Sequence, residues 1–269
     1  MSLVVNTNIA SMNAQRSLMH SSRELQTAME RLSTGKKINS AADDAAGFAI
    51  AESMTAQVRG LSMAVKNAND GMSLLRVVEN ATNDVTDMLQ RIRELAVQAA
   101  SGTNSGDDIS NLQAEATALV EEIDRVASDT TYNGVAYLST GGAGNIDIQV
   151  GYNDGDQIQL TTHDVGSAAL GIDALDIEDA NVLQTVSDAI DTVAGYKAGW
   201  GAGQNRLQYT VANLMNVVEF TSAARSRIQD ADFAVEAARL SKAQILQQTG
   251  AAMLAQANAS PQLAISLLK

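Results

Sequence analysis

The side chains that could carry catalytic chemistry are few and scattered. The two histidines, His20 and His163, stand alone, and no HExxH run or comparable cluster accompanies either of them. A zinc site needs three or four ligands, so two isolated histidines do not predict one. The absence of cysteine excludes disulfide and thiolate chemistry. We therefore expect a protein that is not an enzyme and that has no metal ion and no cofactor.

Two short motifs resemble ligand-binding loops but lack their context. The stretch STGKKINSAADDAAG, residues 33–47, has a glycine and two lysines, but no strand pattern precedes it as a phosphate-binding loop requires. We interpret it as the joint between two domains. The acidic stretch DALDIEDA, residues 173–180, lacks the spacing and the glycine of an EF-hand loop, which favours a solvated loop over a calcium site.

Charge is distributed unevenly along the 269 residues. The chain has 31 acidic and 18 basic residues, and residues 101–195 hold 17 of the acidic ones but only one basic residue, Arg125. Residues 243–268 contain no charged residue at all. The acidity argues against nucleic acid and anionic membranes as partners. The middle of the chain is therefore predicted to be a solvated surface, while the ends have the composition of segments that become buried.

The sequence also gives no sign of membrane insertion. No run approaches the roughly 18 apolar residues of a membrane-spanning helix. The first residues, MSLVVNTNIASMNAQ, lack the basic segment and apolar core of a cleaved secretory signal. We expect neither feature.

Helical periodicity is the strongest structural signal. Apolar residues are 45% of the chain, aromatic residues only 3%, and Pro261 is the single proline, a composition typical of helices packed along their length. Three segments repeat apolar residues with alternating spacings of three and four, which predicts long amphipathic helices in a rod-like bundle. Their apolar positions are Leu75, Val78, Val85, Leu89, Ile92, Ala96 and Ala99; Ile109, Leu112, Ala116, Leu119, Ile123 and Val126; and Leu183, Val186, Ile190, Val193, Trp200, Leu207, Val211, Leu214 and Val218.

Glycines interrupt the third segment without shifting its phase. The stretch GYKAGWGAG, residues 195–203, contains four glycines, each of which costs up to about 1 kcal/mol in a helix. We predict one continuous helix there, either bent or closely approached by a neighbour.

One β-hairpin is predicted, at about 145–162. The runs NIDIQV and QIQLTT alternate apolar and polar residues and are joined through GYNDGD, whose Asp-Gly pair is a turn signal. A lone hairpin is unstable in water, so we expect it to lie against the helices.

The two ends are predicted to be helices that need a partner. Residues 5–33 have one apolar side, and residues 230–258 have apolar side chains in almost every direction, which is typical of a helix enclosed by other chains. We predict that other copies of the chain, or another protein, cover the ends. The residues expected to pack there are Leu18, Leu25, Leu32, Leu240, Ile245, Leu246, Leu254, Leu263, Ile265, Leu267 and Leu268.

Four long motifs resemble the bacterial flagellins. They are NTNIASMNAQRSL at residues 6–18, RLSTGKKINSAADDAAGFAIAE at 31–52, QRIRELAVQAASGTNS at 90–105 and ARSRIQDADFAVEAARLSKAQILQQTGAAMLAQAN at 224–258. The resemblance implies a mainly α fold with three parts: residues 1–42 and 230–269 as the paired terminal helices of an inner domain, and 43–229 as a middle domain with the hairpin. Only about 20 residues follow the hairpin before the last long helix of that domain, so the chain resembles a minimal flagellin without outer domains.

The resemblance also implies function and partners. It implies a structural subunit that is exported unfolded and secreted, that polymerises with other copies into the extracellular filament for motility, and whose termini fold on assembly. The implied partners are an export chaperone, the filament cap, hook-junction proteins and the vertebrate Toll-like receptor for flagellin, the last through Arg91, Leu95 and Glu115. The alternatives are packing within the bundle for Leu95, and a solvated position or contacts with neighbouring subunits for Arg91 and Glu115.

Two other functions fit the same pattern of helices. A flagellin-like protein at the hook–filament junction shares the terminal helices, although QRIRELAVQAASGTNS favours a flagellin. A monomeric helical protein that binds surfaces or receptors is the other alternative, and the net charge of −13 disfavours membranes as its target.

Overall fold

The computed structural model describes residues 7–266, and the side chains of residues 7–259. The fold is mainly helical, as predicted, with one two-stranded antiparallel sheet among the described residues. Its elements are, in order, α1 (Ile9–Thr34), α2 (Ala45–Ala99), α3 (Gly106–Asp129), β1 (Gly144–Gln149), β2 (Gln157–Thr162), α4 (Ser167–Leu170), α5 (Val182–Gln229) and α6 (Phe233–Ser266).

The chain divides into two compact units. The first contains Met1–Ala56 and Phe220–Lys269, and the second contains Gln57–Glu219. We placed the limits of the middle domain at residues 43 and 229. The loop between α1 and α2, which we interpreted as a joint, lies within the first unit, and the boundary between the units falls inside α2, which runs from Ala45 to Ala99.

The core of the second unit is built on the predicted apolar stripe of α2. Every apolar position listed for that stripe, from Leu75 to Ala99, is buried. Thr82, the one polar residue in the stripe, is also buried, and its hydroxyl donates to the carbonyl oxygens of Val78 at 3.0 Å and Glu79 at 2.8 Å. A buried hydroxyl that finds local acceptors adds no unpaired polar group to the core.

Helix α3 begins at Gly106, after a capping box formed by Ser105 and Asp108. The hydroxyl of Ser105 accepts from the backbone N–H of Asp108, and the Asp108 carboxylate accepts from the hydroxyl and backbone N–H of Ser105. This capping box satisfies two N–H groups at the start of the helix. The same hydrogen bonds lower the pKa of Asp108 below its ordinary value.

Helix α5 is continuous through its glycines, as predicted. Only at Gly203, among the four glycines of residues 195–203, would an added Cβ meet a neighbour, namely Leu75 at 3.3 Å and Leu160 at 3.4 Å. Gly203 therefore lets α2 and β2 approach α5 closely. The predicted apolar positions of α5 are buried or half-buried except Leu183, which is exposed because Val182 occupies the buried place beside it.

The hairpin packs against the helices of its own unit. Strands β1 and β2 pair from Gly144 opposite Thr162 to Gln149 opposite Gln157. Ile158, Leu160 and Thr162 on β2 are buried, while the residues between them are exposed. The indole N–H of Trp200 on α5 donates to the carbonyl oxygen of Thr161 at 2.9 Å. The hairpin therefore lies against a helix, α5, as predicted.

We expect the Leu89→Ala substitution to lower the free energy of unfolding by about 2–5 kcal/mol, because Leu89 is fully buried and alanine would leave a cavity. The control is Val97→Ala on the same helix, where the side chain is 57% exposed and the change is within about 0.5 kcal/mol. Urea denaturation followed by circular dichroism measures both. Equal losses would show that the α2 stripe is not the core.

Candidate functional site

The terminal helices α1 and α6 pack against each other in antiparallel directions. Near one end of the pair, the Asn8 side-chain amide donates to the carbonyl oxygen of Ala257 at 2.7 Å, and the Ser11 hydroxyl donates to Asn258 at 2.8 Å. Near the other end, Arg31 contacts Glu236 at 3.2 Å. These polar contacts fix the register of one helix on the other.

Hydrogen bonds fix both ends of α1 and the start of α6. The N-terminal cap of α1 is Asn8, whose side chain accepts from the backbone N–H of Ser11 at 3.0 Å. Gly35 ends α1 with φ of +70°, a conformation that favours glycine, and its carbonyl oxygen accepts from the backbone N–H of Ala231 at 2.9 Å. The start of α6 is thereby tied to the end of α1.

Glu236 is the one acidic side chain that is buried among the described residues. Its Oε1 lies 3.2 Å from Arg31 on α1 and 2.8 Å from Arg239 one turn further along α6. A buried carboxylate is costly unless it is paired and hydrogen-bonded, so this cluster favours the observed pairing over any shift of the helices. We did not single out Arg31 and Glu236 from the sequence, and the only signal for them was opposite charge near facing helix ends.

The α1–α6 pair has almost no core of its own. Within the described parts of α1 and α6, the buried residues are Ser11, Ser21, Ala28, Glu236 and Ala243, most of them small or polar. Two helices meet along one line, so most of each apolar surface stays outside the contact.

The structure describes the side chains of seven of the predicted assembly residues. Leu18, Leu25, Leu32, Leu240 and Leu254 are half-buried, and Ile245 and Leu246 are exposed. The side chains of Leu263 and Ile265, and both Leu267 and Leu268, lie outside what the structure describes.

Large apolar side chains are exposed on both helices of the pair. They are Ile9, Met12, Met19 and Met29 on α1, and Phe233, Val235, Ile245, Leu246 and Met253 on α6. Large apolar side chains exposed in this number on two helices favour an interaction site. The pair therefore presents an apolar surface that is suited to burial against another molecule.

Arg91 and Glu115, which we named as receptor-binding residues, contact each other in the second unit. Arg91 on α2 lies 2.8 Å from Glu115 on α3 and 3.0 Å from Glu94. The two carboxylates raise the pKa of Arg91, Glu115 making the larger contribution. Both side chains are about half exposed, so they are accessible to a partner.

Leu95 is placed differently from these two residues. It is fully buried against Ala99, Ala116 and Ile177. Its packing holds α2 against α3, which positions Arg91 beside Glu115. The alternative role that we gave it, packing within the bundle, matches its place in the structure.

The remaining candidate residues for chemistry are not brought together. His20 lies 3.6 Å from Glu24 on the same helix, and the ring of His163 stacks on Tyr196 with centroids 4.0 Å apart. Within residues 7–266, no three His, Cys, Asp or Glu side chains are grouped as a metal site requires. None of the helices described is both long enough and apolar enough to cross a membrane.

Comparison with known proteins gives a consistent result over the whole chain. The bacterial flagellin N-terminal helical region matches residues 5–142, and the bacterial flagellin C-terminal helical region matches residues 183–268. The chain is 42% identical over 273 residues to the flagellin of Halalkalibacterium halodurans, covering 99% of this chain and all of that protein. It is 40% identical to the flagellar filament 33 kDa core protein of Treponema phagedenis, with coverage of 99% and 100%.

Solved structures show related folds. The crystal structure of Bacillus cereus flagellin is 32% identical, covers 55% of this chain and 88% of that chain, and has a TM-score of 0.50. A putative flagellar hook-associated protein from Vibrio parahaemolyticus is 16% identical, with coverage of 70% and 100% and a TM-score of 0.59, a similarity of fold alone. From the two matched helical regions and the full-length relatives, the chain belongs to the bacterial flagellins.

Proposed function

We propose that this flagellin polymerises through its α1–α6 pair into the extracellular flagellar filament and serves motility as its structural subunit. Bacterial flagellins form that filament, and the family is structural. The observation that carries the proposal is the apolar surface of a pair that has almost no core of its own.

The small core of the pair supports folding that is coupled to assembly. A segment that cannot bury enough apolar surface alone gains the missing burial from a partner. In this proposal the chain is secreted unfolded through the flagellar export channel, with an export chaperone, and is added beneath the filament cap at the end distal to the hook-junction proteins. Its terminal helices then fold against copies already in place.

The absence of charge in residues 243–268 fits the same proposal. A charge at this place would recur in every copy, and removing it from water inside a polymer costs several kcal/mol per ion. An uncharged helix avoids that cost at each addition.

We predict that Leu246→Asp prevents seeded polymerisation while leaving the second unit folded. Leu246 is 42% exposed on the pair, so a carboxylate there is tolerated in water but not when a neighbouring copy covers it. Electron microscopy after addition of filament seeds measures polymer, and circular dichroism measures folding.

The matched control is Val135→Asp in the second unit, where the side chain is 41% exposed and lies outside the pair. Long uniform filaments from wild type and from this control, and none from Leu246→Asp, support the proposal. A wild-type chain that forms only short capped assemblies favours the junction-protein alternative. A wild-type chain that never polymerises favours a monomeric binding protein and refutes the filament proposal.

We also propose that the monomer is a ligand of the vertebrate Toll-like receptor for flagellin, through the surface formed by Arg91 and Glu115. The support is the exposure of both side chains and their fixed mutual position, which the buried Leu95 maintains. In this proposal the surface is available on the monomer and covered in the filament.

We predict that Arg91→Ala raises the half-maximal concentration for receptor activation by about tenfold or more, since a truncated central arginine typically costs over 1 kcal/mol at an interface. Reporter cells that express the receptor measure the effect with purified monomer. Arg125→Ala is the control, because Arg125 is also half exposed and also pairs with two carboxylates, Glu122 and Asp129. Equal responses from both variants, or no activation by wild type, would contradict the receptor role.

A further inference from the structure

The sulfur atoms of this chain are all in methionine. The sequence has ten methionines and no cysteine, so an oxidant that reaches the protein meets thioethers and no thiols. Among the side chains that the structure describes, six methionines are exposed. Met63 and Met215 lie in the second unit, and the others, which we call the pair methionines, lie in the first unit on α1 and α6. The pair methionines are Met12, Met19, Met29 and Met253.

The pair methionines form a large part of the apolar surface of the α1–α6 pair. Of the four large apolar side chains that are exposed on α1, three are methionines and the other is Ile9. Met12 and Met19 are seven residues apart, close to two turns, so they lie on the same face of α1. On α6, Met253 lines the same groove as Leu246. Each pair methionine is between 49% and 64% exposed, so an oxidant in solution reaches all of them.

A thioether at the surface of a protein is open to oxidation by peroxides. The sulfur lone pair attacks one oxygen of hydrogen peroxide, the O–O bond breaks, and the second oxygen leaves with both protons as water. Sulfur is thereby oxidised to the sulfoxide and the peroxide is reduced. The product carries a polar S–O group that accepts hydrogen bonds, and methionine sulfoxide reductases reverse the reaction. A flexible apolar side chain thus becomes a polar one by a reversible step.

This change in polarity has its effect where the side chain becomes buried. A sulfoxide that stays in water remains hydrated, and none of the pair methionines is buried within the chain, so the fold of the free subunit is kept. Burial against another molecule removes that water, and a buried acceptor without a donor is unfavourable. The thioether, by contrast, is flexible and polarisable and packs on irregular apolar surfaces. Oxidation therefore acts on the association of the pair with a partner.

We propose that the pair methionines are an oxidation site that controls whether a subunit can assemble. A peroxide converts them to sulfoxides in the free subunit, and the oxidised subunit does not add to a filament until a reductase restores the thioethers. The exposed Met63 and Met215 lie outside the pair, and their oxidation leaves assembly unchanged. This inference rests on the proposed filament function and adds to it a chemical modification of the subunit.

The test compares full-length variants in which leucine replaces methionine. Leucine keeps the volume and the apolar character but has no sulfur to oxidise. The first variant replaces every pair methionine by leucine, and the matched control carries Met63→Leu and Met215→Leu. Each protein is treated as monomer with hydrogen peroxide, the peroxide is removed, and sedimentation measures the critical concentration for growth on untreated wild-type seeds. Mass spectrometry maps the sulfoxides, and circular dichroism checks the helix content.

We expect peroxide to raise the critical concentration of wild type and of the control by about tenfold or more, because each added subunit buries sulfoxides. The variant without pair methionines keeps its original critical concentration after the same treatment. Incubation of oxidised wild type with a methionine sulfoxide reductase restores the original value. Equal losses in all three proteins, or normal growth of wild type whose pair methionines are sulfoxides, would overturn the inference.

A second comparison needs no oxidant. Met12→Gln with Met19→Gln places a polar carbonyl on the pair as the sulfoxide does, and Met63→Gln with Met215→Gln is the matched control. We expect the first variant to fail to grow on seeds and the control to grow like wild type, and equal growth of both contradicts the inference. If untreated wild type itself forms no polymer on seeds, the filament function fails, which is a different result from filaments that grow regardless of oxidation.

Discussion

The rest of this molecule depends on one constraint: α1 and α6 together cannot bury all of their large apolar side chains. Two helices share one line of contact, and along that line the buried side chains are mostly small or polar. The second unit is different, because α2, α3, α5 and the hairpin enclose a continuous apolar core. The chain thus joins a unit with an apolar core of its own to a unit that leaves much of its apolar surface exposed, which is suited to burial against a partner.

The two units also differ in their net charge. The second unit, residues 57–219, has 23 acidic and 8 basic residues, whereas the first unit has 8 acidic and 10 basic residues. Strong net charge keeps a surface solvated and keeps copies apart, and near-neutrality permits close association. The charge that the described part of the pair buries, Glu236, is paired with the half-buried Arg31 and the exposed Arg239, so it adds no unpaired charge to an apolar environment.

Much of this fold could be predicted because most of its apolar residues are buried against other residues of the same chain. The apolar stripe of α2 and the alternation in β2 are periodic, since each has one face on a core that the chain itself supplies. The first part of α2 continues the same spacing through Ala51, Met54, Val58, Leu61, Val65, Ala68 and Met72, so the sequence contained a signal for it, and the predicted stripe nevertheless began only at Leu75. Helix α6 has no single apolar face, and its pattern indicated a partner without showing which side meets α1. That choice depends on Glu236 and on small residues such as Gly250, which contacts Leu18 and has no periodic signal.

The two kinds of contact on the pair have different consequences. Inside it, hydrogen bonds and ion pairs are directional, so Asn8 with Ala257 and Arg31 with Glu236 permit one register of α1 on α6. Outside it, apolar burial is non-directional and scales with area, so it specifies a partner only through shape. The internal register therefore determines which apolar side chains of the pair stay exposed, Met12 of α1 and Leu246 of α6 among them. A shift of one residue between the helices would break the contact of Arg31 with Glu236 and expose a different set of side chains, so the polar contacts within one chain determine the apolar surface that the pair presents.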